Sequence, residues 1–333
     1  MKYQIKCHQH IFEPEAFFPQ CHASTIEHLP NGDIVAAWFA GQHEKSSDVA
    51  IWLSVRKNGE WDKPRIVASG NGVPCWNPVL FYNACKLMLF YKLGNEIHTW
   101  QTMYKESTDG GGTWSAEREL VPGDIGGRGP VKNKCILLRN GNILAPASVE
   151  DATRWDCFVD IFDGNDWCAS GLVPRNPAIF TGLGIIQPTL WEDDDSIVYM
   201  LTRSTEGAIY SSKSLNGGQT WLQAVKTELP NNNCGIDVAR LIDGRLILVY
   251  NPVSGNWVAR SPIAFSLSED NGATWSKPEI LDYVPCDPKL NIEDAEFSYP
   301  AVIAHGNDVF ITYTWKRRTI AFWHISFPLN RRV

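Results

Sequence analysis

The sequence predicts an all-β, six-bladed β-propeller forming one domain over residues 1–333, and three observations predict it. A polar, glycine-rich turn ending in tryptophan occurs three times, as STDGGGTW (Ser107 to Trp114), SLNGGQTW (Ser214 to Trp221) and SEDNGATW (Ser268 to Trp275). Trp61, Trp114, Trp167, Trp221 and Trp275 follow one another at intervals of 53, 53, 54 and 54 residues. Between these turns runs a second series of six units, each an apolar strand, a tight turn and another apolar strand. A period of about 53 residues with little helical periodicity is the length of one four-stranded blade.

The hairpins come in chain order as LPNGDIVAAWF around Asn31, LFYNACKLMLFY around Asn83, LLRNGNILAP around Asn140, LWEDDDSIVYML around Asp194, RLIDGRLILVY around Asp243 and VIAHGNDVFITYTW around Gly306. Asn-Gly and Asp-Gly favour such turns because both residues tolerate positive φ. SVRKNGEW (Ser54 to Trp61) and FDGNDW (Phe162 to Trp167) keep the glycine and tryptophan of the recurring turn and read as diverged copies. In that turn Ser and Asp side chains hold the backbone by local hydrogen bonds, and the tryptophan packs the turn onto its blade, so its role is structural. A ring must close, and the segment from Tyr3 to Phe12 is expected beside the last strand, Ile320 to Ser326.

The 44% apolar content is enough for a large core, and the net charge of −7 offers no broad basic surface for nucleic acid or an anionic membrane. The start, MKYQIKCHQH, lacks the apolar run of a signal peptide, and no stretch approaches the length of a membrane span, so a cytoplasmic protein is expected. Nine scattered cysteines (Cys7, Cys21, Cys75, Cys85, Cys135, Cys157, Cys168, Cys234 and Cys286) show no CxxC pair and read as free, mostly buried thiols. No cofactor motif, phosphate loop or metal spacing stands out; the run Glu192 to Asp195 reads as an exposed hairpin turn.

The S-x-D-x-G-x-T-W turn is the Asp-box, and on it the sequence resembles the sialidase superfamily over essentially its whole length. The resemblance implies arginines that clamp a substrate carboxylate, an aspartate acid/base, and a tyrosine nucleophile activated by a glutamate. Carried onto this chain, it places the acid/base at Asp48 in SSDVAIWLS, two clamp arginines at Arg203 and Arg260, and the tyrosine at Tyr299 in EFSYPAVI. Two positions depart: His22 stands where the first clamp arginine belongs, and Gln187 in IQPTLW stands where the glutamate belongs. An amide can orient a phenol but cannot take its proton, and an imidazole is not a permanent bidentate carboxylate donor.

Asn77-Pro78, Gln187-Pro188 and Tyr299-Pro300 repeat a polar-proline pattern at the head of three inner strands, and Asn133 and Asp237 begin two more. With His22 these would ring the mouth of the channel, with Trp76, Trp155 and Trp315 available to stack on a sugar. Glu296, three residues before Tyr299, is an alternative base, and Arg318 in the run Trp315-Lys316-Arg317-Arg318 would meet a substrate carboxylate or cover the closing blade. The expected function is an exo-acting glycoside hydrolase on a small acidic carbohydrate other than an ordinary sialoside, with no cofactor. A lyase that cleaves a uronosyl linkage by β-elimination and a non-catalytic sugar-binding propeller are the alternatives.

Overall fold

The computed structural model describes residues 2–285 and 295–329, so Cys286 lies outside the described residues. The chain opens with β1 (Gln4–His10), which belongs to the last blade. Blade 1 comprises β2 (Gln20–His28), β3 (Ile34–Gly41) and β4 (Ala50–Lys57), flanked by the short β5 (Glu60–Trp61) and β6 (Arg65–Ser69). Blade 2 is β7 (Cys75–Asn83), β8 (Lys86–Leu93), β9 (Gln101–Ser107) and β10 (Arg118–Glu119). Blade 3 is β11 (Ile136–Leu137), β12 (Ile143–Glu150), β13 (Trp155–Phe162) and β14 (Trp167–Ala169). Blade 4 is β15 (Ile185–Glu192), β16 (Val198–Ser204), β17 (Ala208–Ser214) and β18 (Val225–Pro230). Blade 5 is β19 (Asp237–Arg240), β20 (Leu246–Tyr250), β21 (Ile263–Ser268) and β22 (Glu279–Asp282). Blade 6 is β23 (Phe297–His305), β24 (Asp308–Trp315) and β25 (Thr319–Ser326), completed by β1.

Every blade is an antiparallel meander, and the expected closure is present: Gln4 pairs with Ser326, His10 with Ala321, and the Ile11 amide with the Ile320 carbonyl. Closure leaves no blade seam unpaired, which is how a ring of sheets manages its edges. Among the described residues, six apolar clusters each join two consecutive blades.

The tryptophan period has a packing cause. Trp61, Trp114, Trp167, Trp221 and Trp275 each pack into the cluster that joins their own blade to the preceding one. At the seam between blades 5 and 6, Tyr3 and Phe327 fill that place, with the Tyr3 ring 5.4 Å from Phe265. In the boxes, Ser107 Oγ donates to Asp109 Oδ1 at 2.7 Å and accepts from the Gly111 amide at 2.8 Å, while Asp109 accepts from the Thr113 amide at 2.9 Å. Ser214 with Asn216, and Ser268 with Asp270, repeat these bonds. Glycine is required at Gly218: its φ is +88°, and a Cβ there would lie 2.9 Å from Leu144 of blade 3.

The polar-proline pattern marks a structural device at the inner strands. Pairing slips between Trp76 and Val79, between Ile186 and Thr189, and between Ser298 and Ala301, with φ of 32°, 51° and 52° at Asn77, Gln187 and Tyr299. A fourth bulge lies between His22 and Thr25, with Ala23 at φ 54°. A bulge re-aims a side chain, and positive φ before proline is a conformation that a non-glycine residue adopts only when its surroundings impose it. Here the surroundings come from blade 3: Asn133 Nδ2 donates to the Gln187 and Pro188 carbonyls at 3.0 and 2.9 Å, and Lys132 Nζ donates to the Pro300 carbonyl and, at 3.2 Å, to that of Ile236.

Candidate active site at the head of the inner strands

The bulges bring Asn77, Gln187 and Tyr299 to the wall of one cavity of about 130 Å³, together with His22, Trp76, Arg203 and Arg260. Glu44, Trp100, Glu150, Trp257 and Arg317 complete the charged and aromatic lining. A more open cleft of about 560 Å³ adjoins it and shares Glu44, Trp257, Arg260 and Arg317.

Arg203, near the end of β16, is 1% exposed and uses four of its five N–H donors within the protein. Its Nη1 donates to Tyr299 Oη at 2.9 Å and to Gln187 Oε1 at 3.1 Å, Nε donates to Asn233 Oδ1 at 2.9 Å, and Nη2 bonds the Asn233 carbonyl. Because Gln187 Oε1 faces Arg203, its amide nitrogen faces the phenol and donates to Tyr299 Oη at 3.4 Å. The phenol oxygen thus accepts from two donors, so negative charge developing on it is stabilised, and among the described residues no carboxylate is bonded to it to take its proton.

Glu296 is 4% exposed and holds the other two arginines: Oε1 accepts from Arg260 Nη1 at 2.7 Å and Oε2 from Arg317 Nε at 2.9 Å. Burial alone would raise its carboxyl, but the permanent charges of Arg260 and Arg317 hold it well below the usual carboxylate range. Arg317 also donates to Glu44 at 2.7 Å. His22 packs its ring 4.3 Å from that of Tyr299, and its Nδ1 lies 3.0 Å from Thr314 Oγ1. Burial, then the nearby Arg317 charge, push this imidazole well below its ordinary value, with Glu296 opposing, so it is neutral at pH 7. Beneath Tyr299, with Nζ 5.9 Å from the ring centroid, burial pulls Lys132 down to about 8.

Other sequence candidates lie elsewhere. Asp48 is exposed and outside the lining of both cavities; its carboxylate accepts from the Gln42 amide at 3.0 Å and so braces its own loop. The residue of that loop that reaches the cavity is Glu44. Asp237 is 1% exposed and is consumed by Lys134 at 2.9 Å, Thr189 at 2.6 Å and the Val302 amide at 2.8 Å, tying blades 3, 4 and 6 together. Asn133 acts on the backbone of Gln187 and lies outside the lining. Arg318 points away, 3.2 Å from Glu15, and the adjacent Arg317 takes the inward position because the turn carries Lys316 and Arg317 at positive φ. Trp76 lines the cavity, whereas Trp315 packs on His10 of the closing strand. Trp155 meets Trp257 edge-on at 6.4 Å, and Trp257, 60% exposed, borders both cavities.

Sequence reading missed Glu44, Ile97, Trp100, Glu150, Trp257 and Arg317 as lining residues. The available signal for Arg317 was the basic turn itself; Glu150 ends an inner-facing apolar strand with nothing in its neighbourhood to mark it. Among the described residues, no group of three or more His, Cys, Asp or Glu is placed to hold a metal ion, and no helix is long and apolar enough to cross a membrane. Eight described cysteines are free, five of them buried.

Six antiparallel blades, three of them carrying the Asp-box turn, with an arginine-lined hollow at the head of the inner strands define a sialidase-like propeller. Residues 32–311 match the BNR repeat-like domain, and the chain belongs to that family. In three dimensions the chain resembles a protein of unknown function from Dyadobacter fermentans DSM 18053, with a TM-score of 0.75 at 15% identity over 98% of this chain and 99% of that one. The Hadza microbial sialidase Hz136 matches with a TM-score of 0.78 at 14% identity over 95% of this chain and 68% of that one. The Trypanosoma rangeli sialidase, solved with the inhibitor DANA, matches with a TM-score of 0.71 at 14% identity over 96% and 59%. At such identities these likenesses show the fold. No curated protein matches the chain by sequence.

Proposed function

We propose that the chain is a glycoside hydrolase that removes a single acidic sugar from the end of an oligosaccharide. The observation that carries this reading is the convergence of three guanidinium groups, Arg203, Arg260 and Arg317, from blades 4, 5 and 6, on one cavity beside Tyr299. Guanidinium groups recognise carboxylates through planar, charge-assisted hydrogen bonds. Glu296 and Glu44 offset part of that charge, and the remainder favours an anion over a neutral sugar. The cavity, about 130 Å³, is below the usual range of roughly 300–1,000 Å³ for small-molecule sites, which suits one terminal unit with the leaving group in the adjoining cleft. In this reading Arg203 and Gln187 fix Tyr299 Oη so that it faces the anomeric carbon and stabilises the positive charge developing there.

A panel of short oligosaccharides capped by acidic or by neutral sugars tests it. Release of the free acidic sugar with the neutral series untouched is the expected result; equal cleavage of neutral caps, or no cleavage of any acidic cap, refutes it. One observation favours β-elimination as a second reading: a neutral His22 against Tyr299, with the Gln187 amide close by, forms a base and acid pair beside carboxylate-binding groups. An unsaturated product absorbing in the ultraviolet distinguishes that chemistry from hydrolysis.

A further inference from the structure

We infer that Glu150, at the end of β12, is the proton donor to the departing glycosidic oxygen, a role that the sequence pattern would give to Asp48. This rests on the hydrolase reading above.

The argument is one of elimination among carboxyl groups. Asp48 lies outside the lining and is spent on the Gln42 amide. Glu44 lines the cavity, but Arg317 Nη1 stands 2.7 Å from its oxygen. Glu296 borders the adjoining cleft and is clamped by Arg260 and Arg317, which keep it ionised. An ionised, paired carboxylate has no proton to give. Glu150 also lines the cavity, and among the described residues its carboxyl has no side-chain hydrogen bond or ion pair of the kind that holds Glu44 and Glu296. It sits opposite Trp155 in the pairing of β12 with β13. Burial raises its carboxyl, with Arg203 and Lys92 pulling the other way, and the net direction is upward. Raising a glutamate by burial is the ordinary way an enzyme keeps a general acid loaded.

The step balances as follows. The bond between the anomeric carbon and the glycosidic oxygen breaks with its electron pair on oxygen, and that oxygen takes the proton of Glu150 and leaves as an alcohol. Water adds to the anomeric carbon, its surplus proton passes to solvent, and Glu150 is reprotonated, so one water is consumed per bond.

The test compares Glu150→Gln with the unaltered protein on two sets of acidic-sugar glycosides, 4-nitrophenyl glycosides, whose leaving group needs no proton, and methyl glycosides, whose leaving group does. The expected result is a loss of about 10²–10⁴-fold on methyl glycosides and under about 10-fold on nitrophenyl ones, with the alkaline limb of the pH profile abolished. An equal loss on both sets, or no loss on either, overturns the proposal while leaving the hydrolase reading intact. Unaltered protein that cleaves neither set sinks both. Independently of turnover, the protonated-carboxyl infrared band followed against pH should contain a component that persists above the ordinary glutamate range and is missing from Glu150→Gln; an unchanged band in the variant counts against the assignment. Matching thermal midpoints exclude a folding defect as the cause.

Discussion

The rim of the propeller and the mouth of its channel are built from the same six repeats by opposite means. On the rim, Ser107, Asp109, Gly111 and Thr113 satisfy one another within a few residues, and Ser214 to Thr220 and Ser268 to Thr274 do so again. At the mouth, Arg203 reaches Tyr299, 96 residues away, and Lys132 reaches Pro300, 168 residues away. Local bonds can be copied with the repeat; bonds between blades let each blade contribute a different side chain. The difference teaches that the rim specifies the ring and the mouth specifies the ligand.

The largest effect is expected where a buried charge joins three blades. Arg203→Met leaves Tyr299 and Gln187 without their shared donor, and turnover on the best acidic substrate should fall about 10²–10³-fold, measured as kcat/KM. A smaller loss would mean that the phenol is positioned by its own strand. Next, Glu296→Gln strips Arg260 and Arg317 of a buried partner and should cost about 3–5 kcal/mol in denaturant unfolding. Because the folded carboxyl lies below its unfolded value of about 4.3, its contribution is present above that pH and is lost as the pH falls through and below it. The variant should therefore show a flatter loss of stability on acidification.

Lys132 gives the same sign of pH dependence in a higher window and for the opposite reason, since folding favours the charge on Glu296 and disfavours the charge on Lys132. Its folded value of about 8 lies below that of the unfolded chain, so the unfolded state binds more protons between about pH 8 and pH 10 and stability rises across that window. Lys132→Met should remove that rise in unfolding midpoints. On the rim, Gly218→Ala forces a Cβ at φ +88° toward Leu144 and should cost about 1–2 kcal/mol without changing turnover. The smallest effect is expected at Asp48→Asn, with kcat/KM within about two-fold of the unaltered protein; a loss comparable to that of Glu150→Gln would return the acid role to the loop.

How much could be read beforehand follows the same division. The Asp-boxes, the hairpin turns and the β1 closure were legible because their signals are local: positive φ at glycine, alternating apolar strands, a recurring tryptophan. Seven of the lining residues, His22, Trp76, Asn77, Gln187, Arg203, Arg260 and Tyr299, were named from the sequence, and the polar-proline pattern marked three of the bulged inner strands without revealing the bulges themselves. Arg317 was missed by one residue, since only the backbone of the turn decides which of two adjacent arginines points inward. Asp48 occupied the right register but turned to its own loop's amide.

The sequence by itself determined six sheets, their order and the seam that closes them, because each seam is a tryptophan or its aromatic substitute packing between blades a fixed distance apart in the chain. Only the tertiary structure decided which carboxyl groups are paired with arginine and which is left alone. That choice depends on distances of a few ångströms between residues on different blades, and Coulomb interactions and burial at such separations leave no mark on the spacing of residues in the chain.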